Sequence, residues 1–421
     1  MNRIIFILGF TILLSSCNQK ESNQQEFQNQ KVNEIVIGTI DSLYSNELDE
    51  TRKFWVHLPK NYNPESDVKY PVVYLLDGDG HFYSVVGMIE QLSTTNGNTI
   101  CPEMIVVAIP NTDRTRDLTP THVDVAFGDS SYVKTSGGGD KFLDFIEKEL
   151  IPQVEEHYPA TGYRTFIGHS FGGIAVLNAL LERPHMFANY VAIDPSLWWD
   201  DRVLLKKADS IFSKSTYTDK SLFVGVANTM PSAMAYADVE RDTTEETDHI
   251  RSILKFIKST DHVNSGLNFG WNYYHDDSHG SVPLITEYDA LRFLFPWYTL
   301  HSLEDKIFPE PSVTPDELIG MVKQHYKNVS EHFGYDVLPS EGMINGMGYQ
   351  LLQMKLPEYA FKFFDLNVKN YSKNANVYDS MGDYYLAQSD TVKAIEFFEQ
   401  AIATGDLSYT KEKLANLKKV E

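Results

Sequence analysis

The pentapeptide Gly168-His169-Ser170-Phe171-Gly172 constrains the fold more than any other feature of the sequence. It joins a buried-strand pattern at residues 165–168 to an apolar helical pattern at residues 172–181. A serine between two glycines at such a junction is typical of a sharp strand-to-helix turn, because the glycines bring no side chains and the helix N-terminus faces the serine hydroxyl. This context predicts that Ser170 is a catalytic nucleophile and that the N–H group of Phe171 faces a developing oxyanion.

Short apolar runs rich in β-branched residues alternate with helical patterns along roughly the first 300 residues. Such runs are typical of strands that are buried on both faces, as in a parallel sheet. A helix is predicted over residues 141–157, behind the glycines 137–139. The alternation predicts an α/β fold with a mainly parallel sheet and helices on both faces. The predicted strands are residues 35–40, 54–58, 71–76, 104–109, 165–168, 190–193, 222–227 and 271–274.

After about residue 300 the strand patterns end and a repeat of 34 residues begins. Its spacing and residue types resemble a tetratricopeptide repeat, which is built from pairs of helices. We therefore predict a catalytic domain over residues 34–300 and an all-α domain over residues 301–421, in which the repeats either cap the catalytic domain or bind a protein partner. The repeated positions are Met347, Gly348, Leu351, Ala360 and Phe364, followed by Met381, Gly382, Tyr385, Ala394 and Phe398.

The N-terminus has the pattern of a bacterial export signal, with Arg3 before an apolar run over residues 4–14. Small residues then lead to Cys17, as in the processing site of bacterial lipoproteins, where the cysteine is acylated. We predict a signal peptide over residues 1–16, a flexible tether over residues 17–33, and a membrane-anchored protein outside the cytoplasm, in the periplasm or at the outer membrane. The alternative is a plain secretory signal.

Composition and charge exclude several kinds of partner. A net charge of −22 disfavours nucleic acid, which requires concentrated Lys and Arg. Cys101 is the other cysteine and is interpreted as a small buried hydrophobe. The Asp77-Gly78-Asp79-Gly80 segment lacks the closing Glu of a calcium loop. We predict no metal and no cofactor.

An activated serine requires a base, and in this class of fold the order along the chain is Ser, acid, His. His279 lies in a polar loop between a late strand and an apolar helix, which is where the fold places its base. His279 is therefore the predicted general base, and His275 at the start of the same loop is the alternative.

The sequence does not single out one residue as the acid, because the segment after the strand that ends at Ala227 contains no carboxylate before residue 232. We favour Asp242, which precedes a predicted helix. A Ser-His dyad without an acid also remains open. The other candidate acids are Asp238, Glu240, Glu245, Asp276 and Asp277.

The oxyanion needs a second backbone N–H group, from the loop after an early strand. The turn Asp77-Gly78-Asp79-Gly80-His81 directly follows the strand of residues 71–76. Asp79 or Gly80 is therefore the predicted second donor.

Five segments together resemble the putative-esterase family, which includes ferric enterobactin and salmochelin esterases and, more distantly, S-formylglutathione hydrolases and feruloyl or acetylxylan esterases. The resemblance covers about residues 35–300 and implies an α/β-hydrolase fold with Ser170 and His279 as catalytic residues. It also implies substrate contacts by Arg114, Arg116, Trp198 and Trp199, whose alternative roles are a structural ion pair and core aromatics. The segments are Gly-His-Ser-Phe-Gly (168–172), Tyr-Leu-Leu-Asp-Gly (74–78), Asn-Thr-Asp-Arg-Thr-Arg-Asp (111–117), Asp-Pro-Ser-Leu-Trp-Trp (194–199) and His-Gly-Ser-Val-Pro (279–283).

These features predict a carboxylic ester hydrolase that forms an acyl-enzyme on Ser170. The expected substrates are small-molecule or carbohydrate esters, such as siderophore esters or acylated polysaccharides. An acyltransferase would use the same intermediate with another acceptor. A docking lipoprotein with a secondary hydrolase domain is the alternative from another class.

Overall fold

The computed structural model describes residues 34–126, 128–212, 216–261, 265–301 and 303–418. All the elements discussed below lie in the compact unit that begins at Thr39. The predicted signal peptide, Cys17 and the tether lie outside the described residues, so these features stay predictions. Within the described part of the chain, no helix has both the length and the apolar composition needed to cross a membrane.

An eight-stranded sheet forms the centre of the hydrolase region in the described residues, with the strand order β1-β2-β4-β3-β5-β6-β7-β8. The pairs β1/β2 and β2/β4 are antiparallel, and the other neighbours are parallel. Strands β3, β4 and β6 are buried at every position, as their continuous apolar runs predict. The strands are β1 (Thr39–Ser45), β2 (Glu50–His57), β3 (Tyr70–Leu75), β4 (Ile105–Ala108), β5 (Ala160–His169), β6 (Asn189–Ile193), β7 (Ser221–Ala227) and β8 (Asn268–Tyr274).

Helices connect the parallel strands and cover the sheet, so the predicted α/β-hydrolase fold is confirmed. The helix predicted over residues 141–157 is continuous through a π-helical turn at Ile146–Leu150. The helices of this region are α1 (Gly78–Ser93), α2 (Arg114–Leu118), α3 (Gly139–Phe145), α4 (Ile151–His157), α5 (Phe171–Glu182), α6 (Trp199–Phe212), α7 (Asp248–Asp261) and α8 (Val282–Leu294).

The helical region follows, as the loss of strand patterns predicts. Helix α9 begins with a capping box, in which the Thr314 hydroxyl accepts from the N–H of Glu317 and the Glu317 carboxylate accepts from the N–H of Thr314. The later helices form successive pairs that follow the 34-residue spacing. They are α9 (Pro315–Phe333), α10 (Glu341–Gln353), α11 (Pro357–Asn370), α12 (Ala375–Ala387), α13 (Thr391–Thr404) and α14 (Ser408–Leu417).

The repeated glycine and phenylalanine lie against each other within each helix pair. A Cβ atom on Gly348 would lie 2.7 Å from the Phe364 ring, and one on Gly382 would lie 2.5 Å from the Phe398 ring. Both distances are shorter than a van der Waals contact, so a glycine is needed for the two helices to approach. The same glycine–phenylalanine packing contact therefore occurs in both helix pairs, and it explains why these two residues recur in the sequence.

The helical region packs on the hydrolase region through aromatic side chains. The ring centroid of Phe333, at the end of α9, lies 4.9 Å from that of Tyr163 in β5 and 5.1 Å from that of Trp297. The His325 imidazole is hydrogen-bonded to the carbonyl of Tyr298, with 3.1 Å between Nε2 and O. This packing fits the capping alternative, whereas the boundary at residue 300 and a protein partner stay predictions.

Candidate active site

Ser170 lies at the turn between β5 and α5, in a conformation that residues with side chains rarely adopt. Its φ is 61° and its ψ is −112°. Its N–H group donates to the carbonyl of Ile193 at 2.9 Å, which ties the turn to the end of β6. A Cβ atom on Gly168 would come within 2.4 Å of the Gly172 carbonyl oxygen, so the turn requires glycine there. The surrounding sheet thus holds the serine in a strained turn, which is common at catalytic sites.

Asp194 is the carboxylate that the structure places beside the predicted base. It directly follows β6, its side chain is fully buried, and its Oδ2 lies 2.6 Å from Nδ1 of His279. Oδ2 also lies 2.8 Å from Nε2 of His249, and Oδ1 accepts from the N–H of Ala227 at 2.9 Å. Burial alone would raise the pKa of Asp194, but hydrogen bonds from the two histidines and from Ala227 hold that pKa well below its usual value.

His279 is presented by the loop between β8 and α8. The Ser281 hydroxyl donates to Asp277 at 2.8 Å, and the N–H of Asn228 donates to the Asp277 carbonyl at 2.8 Å, which ties this loop to the end of β7. The His279 ring centroid lies 4.5 Å from that of His169, the residue before the nucleophile. An ionised Asp194 can only accept, so the neutral tautomer of His279 that it selects carries the proton on Nδ1 and the lone pair on Nε2.

The Ser170 hydroxyl oxygen lies 3.2 Å from the hydroxyl oxygen of Ser196. Ser196 is two residues beyond Asp194, and its N–H group donates to the Ser170 carbonyl at 3.2 Å. The segment after β6 therefore supplies both the carboxylate that meets His279 and a hydroxyl that meets the nucleophile.

Asp242, the acid favoured from the sequence, does not occupy this position. Its carboxylate accepts from the hydroxyls of Thr244 and Thr247, each at 2.5 Å, and its carbonyl accepts from Arg251 at 2.6 Å. These contacts shape the loop that leads into α7. Asp242 follows β7, whereas the carboxylate that contacts His279 follows β6.

The signal for Asp194 was a carboxylate directly after an apolar run, inside the Asp-Pro-Ser-Leu-Trp-Trp segment. The alternatives in the histidine loop also have other partners. His275 and Asp276 pair with each other at 2.9 Å, with side chains that are 76% and 81% exposed. Asp277 is the acceptor for Ser281, so it supports the loop.

Two N–H groups were predicted to bind the oxyanion. Phe171 is the first residue of α5, where backbone N–H groups have no partner within the helix. In the first turn of α1, the N–H of Gly80 already donates to the Asp77 carbonyl at 2.9 Å, and that of Gly78 donates to the Ile109 carbonyl at 3.1 Å. Of the two predicted donors in this turn, Asp79 fits the geometry better than Gly80.

Arg114 links the two turns that carry these donors. Its guanidinium binds both oxygens of Asp77, at 2.6 and 2.9 Å, and also donates to the carbonyl of His169 at 3.1 Å. Burial alone would raise the pKa of Asp77, but the hydrogen bonds and charge of Arg114 hold it below its usual value. Arg114 is positioned to support the site, and its side chain is one-third exposed.

Arg116 belongs to a separate ion-pair network. It binds Glu50 at 2.6 Å and Asp117 at 2.7 Å, and Asp117 also binds the buried Arg52 at 2.6 Å. These contacts join α2 to strand β2. The structure therefore favours the structural alternative for Arg116 over a substrate contact.

The paired tryptophans differ from each other. Trp199 is 2% exposed, its indole N–H donates to the Thr121 carbonyl at 3.1 Å, and its ring centroid lies 5.0 Å from that of Phe171. Trp198 is only partly buried and lies 6.2 Å from Phe171 between ring centroids. Trp198 is thus the more accessible member of the pair, whereas Trp199 packs against Phe171 in the core.

In the residues that the structure describes, Asp194, His249 and His279 bring one ligand atom each to within 4.8 Å of one another. Both imidazoles use the nitrogen that faces Asp194 as a hydrogen-bond donor. Those nitrogens would have to lose their protons before they could bind a metal. The arrangement is that of a hydrogen-bonded acid, and the absence of a metal stays a prediction.

The sequence has recognisable relatives. Residues 45–260 match the family described as Putative esterase. Ferri-bacillibactin esterase BesA of Bacillus subtilis is 32% identical over 176 residues, which are 39% of this chain and 61% of BesA. The siderophore enterobactin esterase of Emericella nidulans is 32% identical over 154 residues, 34% of this chain and 51% of that protein. The chain thus spans between half and two-thirds of the length of these curated relatives.

Among solved structures, an IroE-like serine hydrolase from Shewanella oneidensis superposes with a TM-score of 0.65 at 31% identity. The match covers 78% of this chain and 98% of the hydrolase. Together with the family match over more than half of the sequence, this likeness extends from the motifs to the whole hydrolase region. The chain belongs to the putative-esterase family.

Proposed function

We propose that the protein is a carboxylic ester hydrolase in which Ser170, His279 and Asp194 act as a catalytic triad. The observation that carries this proposal is the hydrogen bond of 2.6 Å between His279 and the buried Asp194. The His279 ring centroid lies 4.5 Å from that of His169, the residue before a serine held in a strained strand-to-helix turn. The three residues follow β5, β6 and β8, whose carboxyl ends meet at one edge of the sheet.

The reaction begins when the Ser170 hydroxyl turns from Ser196 toward His279 and attacks the acyl carbon. Nε2 of His279 takes the hydroxyl proton, and Asp194 stabilises the imidazolium that forms. The N–H groups of Phe171 and Asp79 bind the negative oxygen of the tetrahedral intermediate. The proton then passes to the leaving alcohol, and water releases the acid from Ser170 by the same steps in reverse.

We propose siderophore esters as the substrate class. BesA and the Emericella nidulans relative are named as esterases of ferri-bacillibactin and of siderophore enterobactin. The partly buried Trp198 beside Phe171 offers an aromatic face to a planar aryl group of such a molecule.

The test is hydrolysis of a p-nitrophenyl acyl ester and of a siderophore trilactone, in the ferric and metal-free forms, by the chain without residues 1–20. Ser170→Ala and His279→Ala should each lose more than about 10³-fold in kcat. Acetylated xylan and a feruloyl ester, run beside the trilactone, separate the substrate classes. An acceptor alcohol added to the reaction measures acyl transfer against hydrolysis.

Matched controls are Ser131→Ala and His185→Ala, because Ser131 is exposed and the His185 side chain is 69% exposed and paired with Glu147. Both should hydrolyse esters at the parent rate. The esterase proposal fails if the parent is inert on every ester, or if Ser170→Ala retains the parent turnover. Turnover of the carbohydrate esters alone would replace the siderophore assignment and leave the triad intact.

We also propose that the protein is exported and anchored by an acyl chain on Cys17, on the pattern of the N-terminal sequence. Expression in a bacterium should place the parent in the membrane fraction and label it with radioactive palmitate. Cys17→Ser should abolish the label and release the chain from the membrane. An unlabelled parent in the soluble periplasmic fraction would favour a plain secretory signal.

A further inference from the structure

Asp194 has one more histidine partner than a Ser-His-Asp triad requires. Its Oδ2 accepts from Nδ1 of His279 at 2.6 Å and from Nε2 of His249 at 2.8 Å. The other oxygen accepts from the N–H of Ala227 at 2.9 Å. Since a triad is complete with one imidazole on the acid, the second imidazole needs its own explanation.

His249 reaches the acid from α7, a different element from the one that carries His279. It is the second residue of α7, and its carbonyl accepts from the Ser252 hydroxyl at 2.7 Å. Asp248, its neighbour, forms an ion pair with Arg202 of α6, which ties the start of the helix to the hydrolase core. The loop before it is held by the contacts of Asp242 with Thr244 and Thr247.

His249 differs from His279 in orientation and in exposure. Its ring is perpendicular to that of His279, with 5.3 Å between centroids. Its side chain is 19% exposed, compared with 42% for His279. His249 is therefore the more deeply buried of the two imidazoles on Asp194, and His279 is the more accessible one.

On the basis of the proposed esterase function, we propose that His249 is a positioning residue for the reaction. Its Nε2–H group fixes Oδ2 of Asp194 in the direction of Nδ1 of His279. Without His249, the Asp194 carboxylate would keep the Ala227 N–H on Oδ1 but would lose one of the two imidazole donors on Oδ2, so it would be held less firmly. A carboxylate that can rotate would give up part of the alignment of His279 toward Ser170.

The matched variants are His249→Gln and His249→Leu. The amide nitrogen of Gln can reach the place of Nε2 and donate to Asp194, whereas Leu fills similar volume without a donor. A hydrogen bond to a charged group is worth about tenfold or more in a rate that depends on it. The variants are made in the chain that contains both the hydrolase region and the helical region. We expect His249→Leu to lower kcat about 10- to 100-fold, with KM changed less than about twofold. His249→Gln should recover most of the lost kcat.

His249→Asn is a second variant without a donor to Asp194, because the Asn side chain is too short to reach the carboxylate. Its polar side chain makes it an alternative if His249→Leu does not fold. His185→Leu controls for loss of a histidine elsewhere, since His185 pairs with Glu147. Thermal unfolding of each variant separates a loss of kcat from a loss of fold. A merely structural role would lower the folded fraction and would not be rescued selectively by Gln.

The rate at which a fluorophosphonate phosphonylates Ser170, with loss of fluoride, measures activation of the serine without any ester substrate. This rate should fall at least tenfold in His249→Leu and recover in His249→Gln. A parent that is phosphonylated and hydrolyses no ester would refute the esterase function and still test His249. Parent rates in folded His249→Leu and His249→Asn, or equal losses in His249→Gln and His249→Leu, would overturn the proposal.

Discussion

Two buried carboxyl groups lie at opposite ends of a row of imidazole rings, and their surroundings are opposite in character. The row runs from His81 to His169, with 5.8 Å between ring centroids, and from His169 to His279, with 4.5 Å. Asp194 at one end accepts three hydrogen bonds, two of them from imidazoles. Glu287 at the other end is 1% exposed, with the Ser84 hydroxyl 3.4 Å from one oxygen and His81 Nδ1 3.6 Å from the other.

The difference shows that depth of burial does not decide whether a carboxyl group is charged. Burial raises the pKa of Glu287 to about 8, because the weak contact with Ser84 does not offset the loss of water. Asp194 is equally buried, yet its hydrogen-bond donors keep its pKa well below the usual value. The donors around a buried carboxyl group, and not its depth, therefore identify Asp194 as the one able to stabilise an imidazolium at neutral pH.

The ring between the two ends is held neutral. Burial, together with the charges of His279 and His81, lowers the pKa of His169 to about 4. In the proposed mechanism His279, and not the neutral His169 beside it, takes up the serine proton. The row thus separates the charged end, at Asp194, from the neutral end, at Glu287.

The largest effect is expected when the charge of Asp194 is removed. Asp194→Asn keeps the shape of the side chain but would present an amide to His279, which favours the wrong tautomer of the imidazole. We expect kcat on a p-nitrophenyl ester to fall about 10³- to 10⁴-fold with the fold retained. Asp242→Asn is the matched control, because Asn keeps an oxygen acceptor for Thr244 and Thr247. Less than about a tenfold loss in Asp194→Asn would refute the role of Asp194.

The second prediction concerns stability at the neutral end. The pKa of Glu287 is about 8 in the fold and 4.5 in the unfolded chain, so between these values the unfolded state loses a proton that the folded state keeps. The folded state therefore loses stability, relative to the unfolded state, as the pH rises from about 4.5 to 8. Glu287→Gln resembles the neutral acid at every pH, so its free energy of unfolding should exceed that of the parent by a few kcal/mol, on the order of 2–4, at pH 8.

Denaturant unfolding of the two proteins at pH 4.5 and pH 8 measures this difference. At pH 4.5 the gain should be small, because in the parent Glu287 is protonated in the fold and still about half protonated in the unfolded chain. A gain that is equal at both pH values would point to packing and would contradict a neutral Glu287. Esterase activity serves as a check that the substitution leaves the Asp194 end undisturbed.

The contrast between the two carboxyl groups explains what could be predicted from the sequence. The elbow at Ser170 and the loop of His279 are local patterns, since each depends on residues that are neighbours along the chain. Asp194 meets His279 across 85 positions, and the contact exists because β6, β7 and β8 are parallel and adjacent. A strand-end carboxylate is common in sequences, so the choice of strand required the sheet to be known.

Roles that depend on contacts with distant residues could not be predicted from the sequence either. The sequence left Arg114 and Arg116 as equivalent candidates, and only their contacts, with Asp77 and His169 in one case and with Glu50 in the other, separate them. The same holds for His249, whose position two residues into a helix gave no sign of a contact with the acid. The fold class followed from hydrophobic patterns, which average over many residues and tolerate errors at single positions.

The helical region differs from the two carboxyl groups, because its repeated glycine is explained by steric contact and not by charge. A Cβ atom on Gly348 would lie 2.7 Å from the Phe364 ring, whereas one on Gly346, two residues earlier in α10, meets no atom within 4 Å. Gly348→Ala should therefore cost about 1–3 kcal/mol of stability, while Gly346→Ala should gain about 0.5–1 kcal/mol from helix propensity alone.

Denaturant unfolding at one pH and esterase turnover test this pair. Both variants should keep the parent kcat, because α10 lies in the helical region and contributes no catalytic group. If the free energy of unfolding falls in Gly348→Ala and rises in Gly346→Ala, the glycine that repeats every 34 residues is required for helix packing. If the two variants changed stability equally, the repeated glycine would have no steric role, and the helix pairs would owe their approach to the aromatic contacts around Phe364.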